Sequence, residues 1–311
     1  MKIVYFGTSA FGLPSLEALK NSPHKMLTVV TAPDRPQGRN LRLQPSPVKE
    51  WALAHGLPLF EHSKVNSEEF LLALRALGAD LFVVISFGVI LSKALLEIPR
   101  LGSLNVHPSL LPRYRGAAPM QWALLNGDPE TGVSIVRINE RLDAGDIVLQ
   151  ERTVIGPDED IVSLEKRLSV LGAGALLKSV GLLEKGRAVF TPQDEKAASH
   201  ARKLEKEDGH IQWDLPAAQV RDRVRAMKAW PGCYSFYEGK RLLILETEAA
   251  GQPAAGARPG TIMAASAAEG IRIAARDEAV EIRTLQAEGR KPLGAREFLN
   301  GFPLKAGRAL E

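Results

Sequence analysis

Three polar side chains that can take part in chemistry occur in two short motifs. Asn105 and His107 lie two residues apart in "SLNVHPSLLP", and Asp143 lies in "RLDAGDIV". An amide and an imidazole offer hydrogen-bond donors, and a carboxylate can orient an imidazole or accept a proton. Because side chains alternate along a strand, a strand here places Asn105 and His107 on the same face. The pair could equally be satisfied groups at a strand end, which is the commoner situation in an arbitrary chain.

The elements around Asn105 and His107 predict where that face lies. In the first half of the chain, apolar β-branched runs alternate with amphipathic stretches, which is typical of a Rossmann-like, doubly wound α/β sheet. The predicted strands are 2–7, 27–32, 81–86 and 103–106, and the predicted helices are 11–20, 47–55 and 67–77. Ligands of such sheets bind outside the carboxyl ends of the strands. Asn105 and His107 fall at that end, and Pro108 disfavours helical backbone at His107.

The pattern changes after residue 131. Two strand-like runs, "GVSIVRIN" and "DIVLQERTVI", follow without a helix between them. A helix is predicted over about 160–185, although Gly172, Gly174 and Gly181 weaken the expectation that it is continuous. From about residue 207, one helix and several short strands with turns predict a small OB-like β-barrel. We therefore expect an α/β domain over 1–189, a linker over 190–206 and a C-terminal barrel domain over 207–311.

Composition excludes several classes of protein. The chain has 311 residues, of which 45% are hydrophobic and 24% charged, as is ordinary for a globular protein. Its one cysteine, Cys233, excludes a disulfide framework and a thiolate metal site, and the histidines lack metal-binding spacing. No run is long enough for a membrane helix, and the first residues lack the apolar core of a signal peptide. We therefore expect no metal, no membrane contact and a cytoplasmic location.

The glycines near the start of the chain do not form a nicotinamide-binding motif, because "FGTSAFG" lacks the G-x-G-x-x-G fingerprint.

The net charge of +4 permits a polyanionic partner without requiring one. Residues 207–311 are nearly neutral, with 15 Lys and Arg against 14 Asp and Glu. The basic surplus lies in 35–42, in 113–115 and around 196–206. From composition alone, each of these segments is interpreted as solvated surface.

The motifs together resemble those of the formyltransferases that use 10-formyltetrahydrofolate. Asn105, His107 and Asp143 occupy the family's N-x-H-x-S-L-L-P and D-x-G-D positions, and Pro108 stands where many relatives have Gly or Ala. The resemblance covers nearly the whole chain and implies that these three residues are catalytic. It also implies that seven further residues help to seat the folate, for which simple loop and strand packing is the alternative interpretation. They are Ser109, Leu110, Leu111, Pro112, Phe87, Gly88 and Ile90.

Within this family, the segment "PDRPQGRNLRLQPSPVK" (33–49) and the C-terminal part resemble the methionyl-tRNA formyltransferases. Such an enzyme transfers the formyl group of 10-formyltetrahydrofolate to the α-amino group of methionine on initiator Met-tRNA, for translation initiation. The resemblance implies that Arg39 and Arg42 reach the acceptor end of the tRNA and that the C-terminal domain binds tRNA. We expect a monomer with folate as its co-substrate and no metal.

Alternatives remain at this point. A formyltransferase acting on an amino-sugar nucleotide is similar in both domains but should lack the long segment 33–49. That segment could also be only a mobile polar loop. A binding protein that keeps the fold without catalysis is disfavoured by the intact Asn–His–Asp set, and a glycinamide ribonucleotide formyltransferase would leave about a hundred C-terminal residues unexplained.

Formyl transfer requires these residue types. A neutral amine attacks the formyl carbon, a tetrahedral intermediate with a negative oxygen forms, and the folate nitrogen departs. Asn105 can donate an N–H to that oxygen, and His107 can add a second donor. Asp143 can fix the imidazole tautomer and accept the amine's proton directly or through water. No covalent enzyme intermediate is needed, in agreement with the absence of a G-x-S-x-G motif.

Overall fold

The computed structural model describes residues 1–37, 42–61, 64–254 and 256–311. The chain divides into two compact units, each built from well-separated parts of the sequence. The first comprises Met1–Pro119, Glu130–Val154 and Glu165–Ala201, and the second comprises Met120–Pro129, Ile155–Leu164 and Arg202–Glu311. In the described ranges, no helix combines the length and the apolar character needed to cross a bilayer.

A seven-stranded sheet organises the first unit. Its strands are β1 (Lys2–Gly7), β2 (Lys25–Thr31), β5 (Leu59–Glu61), β6 (Leu81–Ile85), β7 (Ser103–His107), β9 (Glu130–Arg137) and β10 (Ile147–Val154). Their order is β10-β9-β7-β6-β1-β2-β5, and the five strands from β7 to β5 run parallel. β9 and β10 are antiparallel neighbours without a helix between them, as the sequence predicts. Short strands β3 (Arg35–Gln37) and β4 (Arg42–Gln44) form a separate hairpin, and β8 (Arg115–Gly116) pairs with β11 (His200–Ala201). The predicted α/β class is confirmed.

Helices join these strands, and their starts are encoded locally. The helices are α1 (Leu13–Lys20), α2 (Pro47–Ala54), α3 (Glu68–Ala76), α4 (Lys93–Leu96), α5 (Pro119–Leu125) and α6 (Ile161–Glu184). The hydroxyl groups of Ser46, Ser67 and Ser92 accept hydrogen bonds from backbone N–H groups in the first turns of α2, α3 and α4. Each serine therefore satisfies a donor that the start of a helix leaves unpaired.

The chain changes direction across the sheet between β1 and β6. From β1 it proceeds outward to β2 and β5, and it then returns to the other side of β1 as β6 and β7. Such a reversal leaves a crevice beyond the carboxyl ends of the two central strands. Asn105 of β7 lies opposite Val84 of β6 in the parallel register, so Asn105 and His107 lie at the carboxyl ends of these strands.

The long helix α6 is continuous in spite of its glycines. Gly172 faces the sheet, where an added Cβ atom would lie 2.7 Å from Cγ1 of Val106 on β7. Added Cβ atoms at Gly174 and Gly181 would meet nothing within 4 Å. The first glycine therefore permits close packing of helix on sheet, and packing against the sheet maintains a helix that propensity alone disfavours.

The second unit contains an antiparallel β-barrel. Its elements are α7 (Ala217–Met227), β12 (Cys233–Tyr237), β13 (Lys240–Pro253), β14 (Ile262–Ser266), β15 (Gly270–Ala274), β16 (Glu278–Ala287), β17 (Leu293–Gly294) and α8 (Ala295–Gly301). The main sheet has the order β12-β13-β16-β15-β14, and β17 pairs with β16. The last residues of the chain join its two outer strands: Glu311 exchanges two backbone hydrogen bonds with Phe236 of β12, and the Ile262 N–H of β14 donates to the Arg308 carbonyl at 2.7 Å. This closure occupies edges that would otherwise expose unpaired backbone groups.

Candidate active site

The fold brings the three residues of the catalytic hypothesis together. Asn105 and His107 project from the end of β7, and Asp143 lies in the turn between β9 and β10. Nδ2 of Asn105 donates to Oδ1 of Asp143 at 3.4 Å, and Nδ1 of His107 lies 3.6 Å from Oδ2 of Asp143. Strand alternation places the first two side chains together, and the β9–β10 turn supplies the third.

The orientation of His107 determines which of its ring nitrogens exchanges a proton. Nε2 lies 2.9 Å from the carbonyl oxygen of Tyr114. A carbonyl oxygen only accepts hydrogen bonds, so Nε2 carries a hydrogen and donates it. His107 is 4% exposed, and its remaining nitrogen, Nδ1, faces Asp143. Nδ1 is therefore the ring nitrogen that is left to interact with the Asp143 carboxylate.

Asp143 adopts a backbone conformation that few residues with side chains tolerate. Its φ is 50°, in the left-handed region, and its side chain is only 12% exposed. The Gly116 N–H donates to its Oδ2 at 2.9 Å. At Gly145 an added Cβ atom would lie 1.7 Å from the Arg137 carbonyl oxygen, so only glycine lets the turn approach β9. This close approach explains physically why the motif D-x-G-D contains a glycine.

Three polar side chains, those of Arg115, Gln193 and Glu195, form a hydrogen-bonded cluster that contacts this turn. Arg115 is 3% exposed and donates from Nε to Oε1 of Gln193 at 3.0 Å, and from its two terminal nitrogens to Glu195 at 3.1 and 3.2 Å. Hydrogen bonds from Arg115 and then from Arg141 lower the pKa of Glu195 to about 2. The interpretation of 113–115 as solvated surface is wrong for Arg115, because composition does not show which charged residues find a buried partner. Sequence reasoning missed Gln193 and Glu195 as well, since neither lies in a recognisable motif.

The segment Ser109 to Pro112 is held by the scaffold. Oγ of Ser109 donates to the Arg113 carbonyl at 2.7 Å, and the Leu111 N–H donates to Oγ of Ser134 at 3.0 Å. Nε2 of Gln150 donates to the Leu111 carbonyl at 2.9 Å, and the Leu111–Pro112 peptide is cis. Ser109 and Leu111 are buried, whereas Leu110 and Pro112 are half-buried. The loop therefore has a defined shape, and Leu110 and Pro112 expose part of their apolar surface.

The segment after β6 divides into a buried and an exposed part. Phe87 is buried and packs edge-on against Phe6, with ring centroids 5.5 Å apart. Gly88 has a φ of 74° and is exposed. Ile90 is 79% exposed, and its carbonyl oxygen accepts from Nδ2 of Asn66 at 2.9 Å. Of these three predicted residues, only Ile90 offers a large apolar side chain at the carboxyl end of β6.

The two arginines of the predicted tRNA loop fall at the limit of what is described. Arg39 lies outside the described residues. Arg42 begins β4, where its backbone pairs with Gln37 of β3, and its side chain is not described. The sequence predicts a loop here, whereas its described flanks, β3 and β4, pair as antiparallel strands, which satisfies backbone N–H and C=O groups.

Cys233 supports the fold and takes no part in this site. It is buried on β12, and its thiol donates to the Arg223 carbonyl at 3.4 Å. Burial raises the pKa of the Cys233 thiol to about 12, so the reactive thiolate is scarce at neutral pH. Among the described residues, no three or more His, Cys, Asp and Glu side chains form a cluster that could hold a metal ion.

Comparisons with known proteins place the whole chain in one family. Residues 1–180 match the formyl transferase family, and residues 203–303 match the formyl transferase C-terminal domain. The methionyl-tRNA formyltransferase of Pelobacter propionicus is 43% identical over 99% of this chain and 95% of its own length. That of Trichlorobacter lovleyi is 44% identical over 99% of this chain and 96% of its own length. The chain belongs to the methionyl-tRNA formyltransferase family.

The chain also shares its fold with solved formyltransferase structures. One is WlaRD, a sugar 3N-formyl transferase crystallised in the presence of dTDP and 5-N-formyl-THF. It matches with a TM-score of 0.65 over 94% of this chain and 99% of its own, at 17% identity. At that identity the likeness shows the fold alone.

Proposed function

We propose that the chain transfers the formyl group of 10-formyltetrahydrofolate to the α-amino group of methionine on initiator Met-tRNA, a step in translation initiation. The observation that carries this proposal is the meeting of Asn105, His107 and Asp143 at the carboxyl end of β7. It occurs in a chain that is 43% identical, nearly end to end, to a protein named methionyl-tRNA formyltransferase.

Asn105 is the proposed oxyanion donor. When the neutral amine attacks the formyl carbon, a C–N bond forms and the formyl oxygen becomes negative. The Asn105 amide has two N–H groups, and Asp143 accepts only one of them. The second N–H is left to stabilise the developing charge. The hydrogen bond to Asp143 thus orients the amide and keeps a donor for the reaction.

Asp143 and His107 are the proposed proton-handling pair. After the attack, the amine nitrogen carries a surplus proton, which Asp143 accepts directly or through water. The pair can hold that proton between Oδ2 of Asp143 and Nδ1 of His107, because Nε2 is committed to the Tyr114 carbonyl. As the C–N bond to the folate breaks, a proton returns to the departing folate nitrogen. The enzyme thereby ends each turnover in its starting state.

The folate is proposed to lie between the segment Ser109 to Pro112 and the segment Phe87 to Ile90. The supporting observations are the hydrogen-bonded, defined shape of the first segment and the exposed apolar side chain of Ile90 in the second. Leu110, Pro112, Gly88 and Ile90 are then the contacting residues, and Phe87, Ser109 and Leu111 maintain the shape. The co-substrate is 10-formyltetrahydrofolate, and no metal is required.

The tRNA is proposed to contact Arg39, Arg42 and the C-terminal domain. Residues 207–311 are nearly neutral in total, so binding there requires a local basic surface. The protein is proposed to act as a cytoplasmic monomer.

A formylation assay distinguishes this function from the amino-sugar alternative. Full-length protein and 10-formyltetrahydrofolate are incubated with Met-tRNA in one arm and with an amino-sugar nucleotide in the other. We expect turnover with Met-tRNA only, and the Asn105→Ala variant should lower that turnover about 10²- to 10³-fold as the loss of an oxyanion donor. Formylation of the sugar in preference to Met-tRNA would refute the proposal.

The contribution of the hairpin is measured with Arg42→Ala. If the Arg42 guanidinium binds a phosphate, its removal should raise KM for Met-tRNA and make the salt dependence of binding shallower by about one unit, with folate binding unchanged. Arg100→Ala is the matched control, because Arg100 is exposed and pairs with Asp80 at the opposite, amino-terminal edge of the sheet. Equal tRNA kinetics for the two variants and the wild type would leave Arg42 without a role in tRNA binding.

A further inference from the structure

We infer that Gln193 is a positioning residue for Asp143, acting through the backbone of the β9–β10 turn; this inference rests on the proposed function. Gln193 lies beyond α6, in the segment that the sequence suggests is a linker. Its Nε2 donates to the carbonyl oxygens of Asp143 and Gly145 at 2.8 and 2.7 Å. One side-chain amide thus bonds two carbonyls of the turn that carries the proposed proton acceptor.

The orientation of the Gln193 amide follows from its other partner. Nε of Arg115 can only donate, and it lies 3.0 Å from Oε1 of Gln193. The oxygen of the amide must therefore face Arg115, and the nitrogen must face the turn. Arg115 is itself buried and held by Glu195 on its far side. The order Glu195, Arg115, Gln193, Asp143 is a chain of hydrogen bonds in which each donor and acceptor is matched.

Asp143 needs such support because of its conformation. A non-glycine residue in the left-handed region persists where its surroundings hold it there. Strand β8 holds the same residue from a second direction, since Arg115 is followed by Gly116, whose N–H donates to Oδ2 of Asp143. Gln193 holds the carbonyl while Gly116 holds the carboxylate. Without the hydrogen bonds from Gln193, the backbone of Asp143 loses two restraints, and we expect the carboxylate to shift relative to His107.

Two substitutions of Gln193 remove the donation in different ways. Gln193→Glu keeps an acceptor for Arg115 but places an oxygen against the two turn carbonyls, and Gln193→Met removes all three hydrogen bonds without adding charge. We expect each to lower kcat for formylation about 10- to 100-fold, as for displacement of a catalytic group, while KM for 10-formyltetrahydrofolate stays within about two-fold. Thr28→Val is the control, because the Thr28 hydroxyl on β2 also donates to a backbone carbonyl, that of Pro58, at 3.1 Å. Its kcat should equal that of the wild type.

A double-mutant cycle separates positioning from a general structural effect. If Gln193 acts through Asp143, adding Gln193→Glu to Asp143→Asn should lower kcat by less than about two-fold further. Equal full losses in both backgrounds would overturn the inference, as would wild-type kcat in both Gln193 variants.

A readout that needs no activity is the hydrogen exchange of the Gly116 amide, followed by NMR in the full-length protein. Its proton is bonded to Asp143, so we expect exchange at least about ten-fold faster in both Gln193 variants and unchanged in Thr28→Val. Unchanged exchange in the Gln193 variants would overturn the inference. If the wild type formylates neither acceptor, the proposed function fails, whereas this exchange measurement still decides the role of Gln193.

Discussion

The carboxylate of Asp143 accepts hydrogen bonds at both of its oxygens, from the Asn105 amide and from the Gly116 N–H. Its position beside His107 therefore depends on its being an acceptor. Replacement by asparagine keeps the size but puts an N–H₂ group where an acceptor is needed, and it removes the base. We expect Asp143→Asn to fold normally by circular dichroism and to lower kcat at least ~100-fold. Near-normal turnover at saturating substrates would remove Asp143 from the mechanism.

The stability that the ion pairs of Glu195 contribute should depend on pH. Arg115 and Arg141 lower its pKa from 4.5 to about 2, so the ionised form is favoured by folding. A group with a lowered pKa contributes stability above its unfolded value, and that contribution is lost as the pH falls toward the folded value. The Tm of the wild type should therefore exceed that of Glu195→Gln at pH 6, and the difference should shrink from pH 4.5 downward. A difference that is constant from pH 6 to pH 3 would show that the ion pairs do not contribute.

At the scale of elements, the glycines of α6 have different environments and should respond differently to alanine. Gly174 has open space around its Cβ position, so Gly174→Ala should stabilise the protein by about 0.5–1 kcal/mol through helix propensity. The Cβ atom of Gly172→Ala would meet Val106 at 2.7 Å, and the steric cost should cancel or exceed that gain. Chemical denaturation of the two variants measures the difference, and equal stabilisation would mean that α6 moves away from the sheet at little cost.

At the scale of the whole molecule, the second unit depends on two segments from the middle of the chain. Residues 120–129 and 155–164 belong to it together with Arg202–Glu311. Arg225 donates to the carbonyls of Gly156 and Glu159 at 3.1 Å, and Lys228 pairs with Asp160 at 2.9 Å. These interactions join parts of the chain that lie far apart in the sequence.

A chain ending at Glu205 would lack those partners. Ala123 and Leu124 of α5 are fully buried, and they belong to the unit that would lose most of its residues. We expect the shortened chain to have a lower Tm than the full-length protein and to bind a hydrophobic dye more strongly, because apolar surface is left uncovered. Thermal unfolding of both proteins tests this expectation. An unchanged Tm would show that 1–205 is stable without the remainder.

The sequence by itself determined the local structure and part of the site. Apolar β-branched runs predict the strands, and the spacing of Asn105 and His107 places both side chains on one face, because neighbouring residues alone set the direction of a strand side chain. The structure adds the reason for the glycine in the motif D-x-G-D, since Gly145 lies against the Arg137 carbonyl.

Only the tertiary structure decided which distant groups meet. Gln193 bonds the carbonyl of Asp143, 50 residues earlier, and Arg115 is buried although its neighbours in the sequence suggest a solvated segment. The continuity of α6 and the closure of the barrel by Glu311 and Arg308 were likewise invisible in local patterns. The physical reason is the same in each case. Periodicity reports which face of an element is apolar, whereas partners across the fold are selected by the geometry in which those faces pack together.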